Sequence, residues 1–191
     1  MAGKDQPEDR DGFRFRGGSN VIDLPATLQA RLSPSPRELL ATPEDLSRWL
    51  VSAGLAEARP EVSASDVATA RTLREAIYVL AGEPRRNDAR AARGILNDIA
   101  AQPAAVPQLT GSGTMRLSGS TGALLATLAR EAVQLFGSAA AKLIRQCESS
   151  TCTLYFLDTS RRGDRRWCSM LACGNRAKAQ RFRRRKANER P

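Results

Sequence analysis

The sequence predicts a mainly α fold with small β-hairpins (α+β), divided into a helical body and a short cysteine-bearing module at the C-terminal end. Three observations lead there. Leu and Ala dominate an apolar content of 41%, with aromatics at only 5%, which favours helices over a β-sandwich. Three amphipathic helical patterns follow one another between residues 42 and 103, the signature of a bundle. All four cysteines fall in the last quarter, as Cys147-x4-Cys152-x15-Cys168-x4-Cys173. A chain of 191 residues holds one core of about 100–150 residues plus a small appended module. The expected division is residues 1–12, 13–140 and 141–187.

Along the chain, residues 1–12 are polar, mix both charge signs and lack periodicity, so they are expected to be disordered. Phe13-Arg-Phe15 and Val21-Ile-Asp-Leu24 read as short strands joined by a turn at Gly17-Gly-Ser-Asn20, with Pro25 confining the second to an edge. Thr42-Pro-Glu-Asp45 is a strong helix start, with a capping hydroxyl, a proline at the first helical position and two carboxylates in the positive first turn. Leu46, Trp49 and Leu50 then form its buried face up to Gly54. A second helix opens near Ser63 or Ser65 and buries Val67, Ala70, Leu73, Ile77 and Leu80 before Gly82. A third runs from Asn87 through Ala92, Leu96 and Ile99 towards Pro103. Two apolar pieces between Val106 and Leu117 flank Thr110-Gly-Ser-Gly-Thr114 and read as a hairpin. The longest helix is expected next, around Leu124, Leu128, Ala132 and Leu135. Gly137-Ser138 should stop it, and a short helix over residues 139–146 should lead into Cys147.

Two close thiol pairs separated by a hairpin-sized spacer suit a tetrahedral site, each pair supplying two soft ligands from one turn. Cys147, Cys152, Cys168 and Cys173 are therefore the candidate ligands of one structural Zn2+. An iron–sulfur cluster or plain buried thiols are the alternatives, and the tight pairs favour zinc. The expected order is a knuckle, a hairpin pairing residues 153–157 with 165–167, and a helix whose first turn bears the last two cysteines, a treble-clef-like arrangement. So small a module lacks a core of its own, so zinc removal is expected to unfold it and leave the body intact.

Charge singles out the same segment. Residues 142–191 hold 14 basic and 4 acidic residues, which accounts for the whole net charge of +10, and the rest of the chain is balanced. A localised basic module beside a neutral body is the footprint of a nucleic-acid binder. The chain has no histidine, which removes Ser-His-Asp and Cys-His catalysis and the commonest general base. No enzymatic activity is expected. No apolar run is long enough to span a bilayer and residues 1–12 do not resemble a signal peptide, so the expected location is the cytoplasm.

At Trp167-Cys-Ser-Met-Leu-Ala-Cys173-Gly174-Asn175-Arg176 the chain resembles the CGNR-type zinc finger. Leu39-Leu-Ala-Thr-Pro-Glu-Asp-Leu-Ser-Arg-Trp-Leu50 and Leu73-Arg-Glu-Ala-Ile77 are similar to the ABATE domain that precedes this finger in bacterial stress-induced transcription regulators. In that family's first strand Asp23 and Thr27 are kept, while Ala26 stands where an asparagine is usual. The resemblance implies a DNA-binding regulator. Arg161, Arg162, Arg165 and Arg166 would grip phosphates from the hairpin, and Arg176, Lys178, Arg181, Arg183, Arg184, Arg185 and Lys186 from the helix. Backbone contact is favoured over base readout. An RNA binder and a zinc-stabilised protein-interaction module are the competing readings. The body is a candidate site for a small-molecule effector and for homodimer contacts.

Overall fold

The computed structural model describes residues 8–82 and 86–188. Most of the segment expected to be disordered, residues 1–7, lies outside them, but residues 8–12 are ordered. Strand β1 (Asp9–Arg10) pairs antiparallel with β2 (Phe13–Arg14). Asp11 (φ 48°) and Gly12 (φ 82°) make the turn, a left-handed conformation that suits these two residue types. Tertiary contacts overcome the polar composition. Phe13 and Phe15 are buried, the Arg10 guanidinium lies 3.6 Å over the Phe15 ring, and Arg48 holds the Asp11 carboxylate through two bonds of 2.8 Å.

The expected second strand is a helix instead. Helix α1 (Asn20–Asp23) runs directly into a 3-10 turn, Leu24–Thr27. Ser19 caps α1 by accepting from the Val21 amide, so the predicted turn residues start a helix rather than close a hairpin. Val21, Ile22, Leu24 and Pro25 are all buried. A short apolar run enclosed on every side has no periodicity to separate strand from helix. Strands β3 (Leu28–Gln29) and β4 (Arg37–Glu38) pair next. Glu38 is tied to α3 (Ala64–Ala81) through the nearly inaccessible Arg74, at 2.6 and 2.8 Å.

The helical body matches its sequence signals closely. Helix α2 (Pro43–Ser52) begins with a full capping box between Thr42 and Asp45 and stops before Gly54, whose φ is +72°. Helix α3 begins with a second box, Ser63 with Asp66. Helix α4 (Arg86–Ala100) follows, then β5 (Val106–Leu109) paired with β6 (Met115–Ser118). Helix α5 (Thr121–Phe136) has 16 residues against 18 for α3, so among the described residues α3 is the longest helix. Trp49, Leu73, Ile77, Leu125 and Leu128 are fully enclosed where these helices meet. Gly137 ends α5 and Ser138 caps a 3-10 turn, Ala139–Leu143. The expected helix over 139–146 breaks off there, and Ile144–Gln146 form strand β7. Among the described residues no helix is long and apolar enough to cross a membrane.

Candidate metal centre

Strand β7 pairs with β8 (Tyr155–Leu157) in the register Ile144↔Leu157 and Gln146↔Tyr155. Cys147 follows β7 and Cys152 shortly precedes β8, so the hairpin turn itself is the knuckle. The Cys147 amide closes it on the Leu154 carbonyl at 2.9 Å. The expected pairing of residues 153–157 with 165–167 is therefore replaced. The physical reason is that Ile144, Tyr155 and Leu157 pack on the body core while Phe156 points to the cysteines, which anchors both faces of this hairpin. Residues 165–167 flank the knuckle loop, with the Glu148 amide donating to the Arg166 carbonyl at 3.0 Å.

Cys168 lies just before the turn rather than within it. Ser169 caps a π-helical turn, Met170–Gly174, by accepting from the Ala172 amide at 3.1 Å. Cys173 sits in that turn, and α6 (Asn175–Asn188) continues from it. Gly174 has a packing reason: a Cβ there would stand 2.5 Å from the Met170 sulfur and 3.3 Å from Trp167 Cδ1. Asn175 is exposed, and its backbone amide donates to the Ala172 and Met170 carbonyls where α6 begins.

The four sulfurs lie within 4.8 Å of one another. Cys152 and Cys168 are 3.8 Å apart, and Cys168 and Cys173 3.7 Å. A tetrahedron of thiolates with metal–sulfur bonds of about 2.3 Å has edges of about 3.8 Å, which these two separations match, and the widest pair stands at most about 1 Å beyond it. None of the cysteines is in a disulfide. Cys147, Cys168 and Cys173 are buried with Leu154, Phe156 and Ala26. Without a cation Cys147, Cys152 and Cys168 compete for ionisation. Interaction with Cys152 and Cys168 pulls Cys147 down, while interaction with Cys147 pushes Cys152 up to about 12 and raises Cys168 as well. A divalent cation resolves that conflict by favouring the thiolate at every position. These cysteines are the ligand set of one structural Zn2+.

Around the site the predicted phosphate-binding arginines divide. Arg165 is turned inward, its Nε donating to the Trp167 carbonyl at 2.8 Å and its guanidinium also bonding the Cys168 carbonyl and covering Phe156. It supports the Cys168 loop and leaves the outward-facing set. Asp158 places it, accepting from the Arg165 amide at 2.9 Å and from the Ser160 hydroxyl at 2.5 Å. The Ser160 hydroxyl bond keeps the Asp158 carboxyl below its ordinary range. The only sequence signal for that role was the Asp-x-Ser turn at residues 158–160. Arg166 pairs with Glu148 at 2.6 Å, and Arg176 bonds Thr151 at 3.1 Å. Arg161 and Arg162 lie on the exposed loop, and Lys178, Arg181, Arg183, Arg185 and Lys186 are exposed along α6. The Arg184 side chain is outside the described ones.

The finger is joined to the body through a continuous seam. The Leu157 amide donates to the Gly17 carbonyl at 2.8 Å. The Ser169 hydroxyl donates to the Glu8 carboxylate at 2.5 Å. Tyr155 meets Tyr78 edge-on at 5.3 Å. Ala26 completes the wall of the cysteine cluster.

Two family models match the chain. ABATE, described as "Putative stress-induced transcription regulator", matches residues 18–139, and the CGNR zinc finger matches residues 144–186. No curated protein matches the chain.

Proposed function

We propose that this chain, which belongs to the ABATE family, is a transcription regulator that binds duplex DNA through its zinc finger. The observation that carries the reading is the unneutralised charge of the finger. Arg161, Arg162, Arg176, Lys178, Arg181, Arg183, Arg185 and Lys186 are exposed and make no ion pair among the described residues. Eight cations on a loop and one helix form a polyanion-binding surface, and release of condensed counterions supplies the affinity. Zinc fixes the base of that surface and does no chemistry. Four thiolates close its coordination sphere and leave no position for a water, so the finger acts by binding.

Salt dependence tests the reading. If about six phosphates are neutralised, log affinity falls against log salt with a slope near −5. Replacing Arg181, Arg183 and Arg185 together by Ala should flatten that slope by up to about three while zinc content stays unchanged. A triple variant that binds duplex DNA like the parent at every salt concentration places the contact elsewhere and favours a protein-interaction module.

A further inference from the structure

We infer that α6 reads bases in the major groove through the face formed by Asn175, Lys178, Ala179 and Phe182, with Phe182 and Ala179 seated on a thymine methyl group. The inference rests on the DNA-binding reading above and goes beyond phosphate contact. Positions i, i+3, i+4 and i+7 form one stripe of a helix, and all four side chains are exposed. The stripe points away from the finger. Ala177 and Gln180, on the other side of α6, line a cleft of about 280 Å³ against Glu148, Ser149 and Trp167, with Arg181, at an intermediate angle around the axis, also lining it.

Phe182 is the observation that demands an occupant. It is 61% exposed, and the Lys186 Nζ lies 5.1 Å from its ring centroid. Phenylalanine belongs to the residue types most often buried. Its neighbours on the stripe are an asparagine, a lysine and an alanine, so the face lacks the repeated apolar positions that pairing with a second helix requires. The composition suits base edges instead. Asparagine offers a bidentate pair to adenine, lysine donates to guanine, and alanine and phenylalanine make apolar contact with the thymine methyl. The Asn175 backbone N–H is bonded to the Met170 and Ala172 carbonyls, while its side-chain carboxamide makes no hydrogen bond among the described residues and is exposed. Ala179 beside Phe182 leaves room for close approach.

The rest of α6 fits the same placement. Fourteen residues span about 21 Å, and a groove about 12 Å wide admits a helix. Arg181 and Arg183 stand one residue to either side of Phe182, about 100° away in each direction around the axis. With Phe182 at the floor of the groove they reach the phosphates of the two bordering strands, which sets register while the stripe reads sequence.

Selection from a random duplex pool with the zinc-loaded full chain tests this. The expected result is enrichment of a short motif containing thymine. Replacing that thymine by uracil, which deletes only the methyl, should weaken parent binding about fourfold, the worth of one buried methyl group. The Phe182→Ala variant should bind the thymine and uracil duplexes equally and retain its zinc. Salt-dependent binding without any enriched motif overturns base reading and leaves the DNA-binding reading standing. An enriched motif whose uracil form loses as much affinity in Phe182→Ala as in the parent also overturns it. Absence of duplex binding at any salt concentration removes both.

Discussion

Asp23 is 4% exposed and accepts the Gly17 amide at 2.6 Å. Burial pushes its pKa up to about 7, against the opposing pull of the Gly17 and Arg16 amides and of Arg10. A carboxyl raised in the folded state stabilises fully below its unfolded value, and that contribution is lost as pH climbs through the folded one. The loss therefore falls between about pH 4 and 7 and amounts to at most about 4 kcal/mol. Asp23→Asn keeps an acceptor for Gly17 and removes the buried charge. Its melting temperature should be nearly flat from pH 5.5 to 8 and exceed the parent's at pH 8. Equal slopes for both proteins would remove Asp23 as the source. Gly17 is equally constrained: a Cβ there would lie 2.7 Å from Ile22 Cγ2 and 3.0 Å from the Asp23 carboxylate. Gly17→Ala should cost about 1–3 kcal/mol in denaturant titration, because the neighbours are packed and unable to yield.

At the level of elements, legibility followed locality. Helices α2 and α3 were visible because Thr42 and Ser63 each meet an aspartate three residues on, and that signal lies within one turn. The four ligands were visible because their spacing encodes the knuckle. Helix α1 was misread as a strand because Val21, Ile22 and Leu24 are uniformly buried and only the Ser19 cap marked the start. The partner of β8 was misread because its choice depends on Tyr155 and Leu157 meeting the body, which no local pattern records. The loop over residues 158–168 belongs to the same class. Asp158 fixes Arg165, and Arg165 fixes the carbonyl of a zinc ligand. Asp158→Ala should weaken zinc binding at least about tenfold in competition with a chromophoric chelator, the usual scale for outer support of a metal site. An unchanged affinity would show that the loop holds its shape without that carboxylate.

For the whole molecule, the expectation that the body survives zinc removal intact meets the seam. Ala26 is packed with the cysteines and Leu157 with the body core, so the two cores share a wall. Chelation should lower the melting temperature of the body as well as open residues 147–188, seen as faster amide exchange in α1 on adding a zinc chelator. Unchanged exchange in α1 would make the two parts independent. The fold as two parts was legible from composition and charge, whereas their joining rests on pairs such as Glu8 with Ser169, 161 residues apart. Such pairs lie beyond any sequence window.

That seam also sets an order of events during synthesis. A ribosome delivers Gly17, Ala26 and Tyr78 long before Leu157, Cys173 and Tyr155 emerge. Until then the nascent body shows solvent the surface that the finger later covers, and its first hairpin waits for Ser169 to engage Glu8. Closure of the seam over the body then waits until the four cysteines have emerged and taken up zinc.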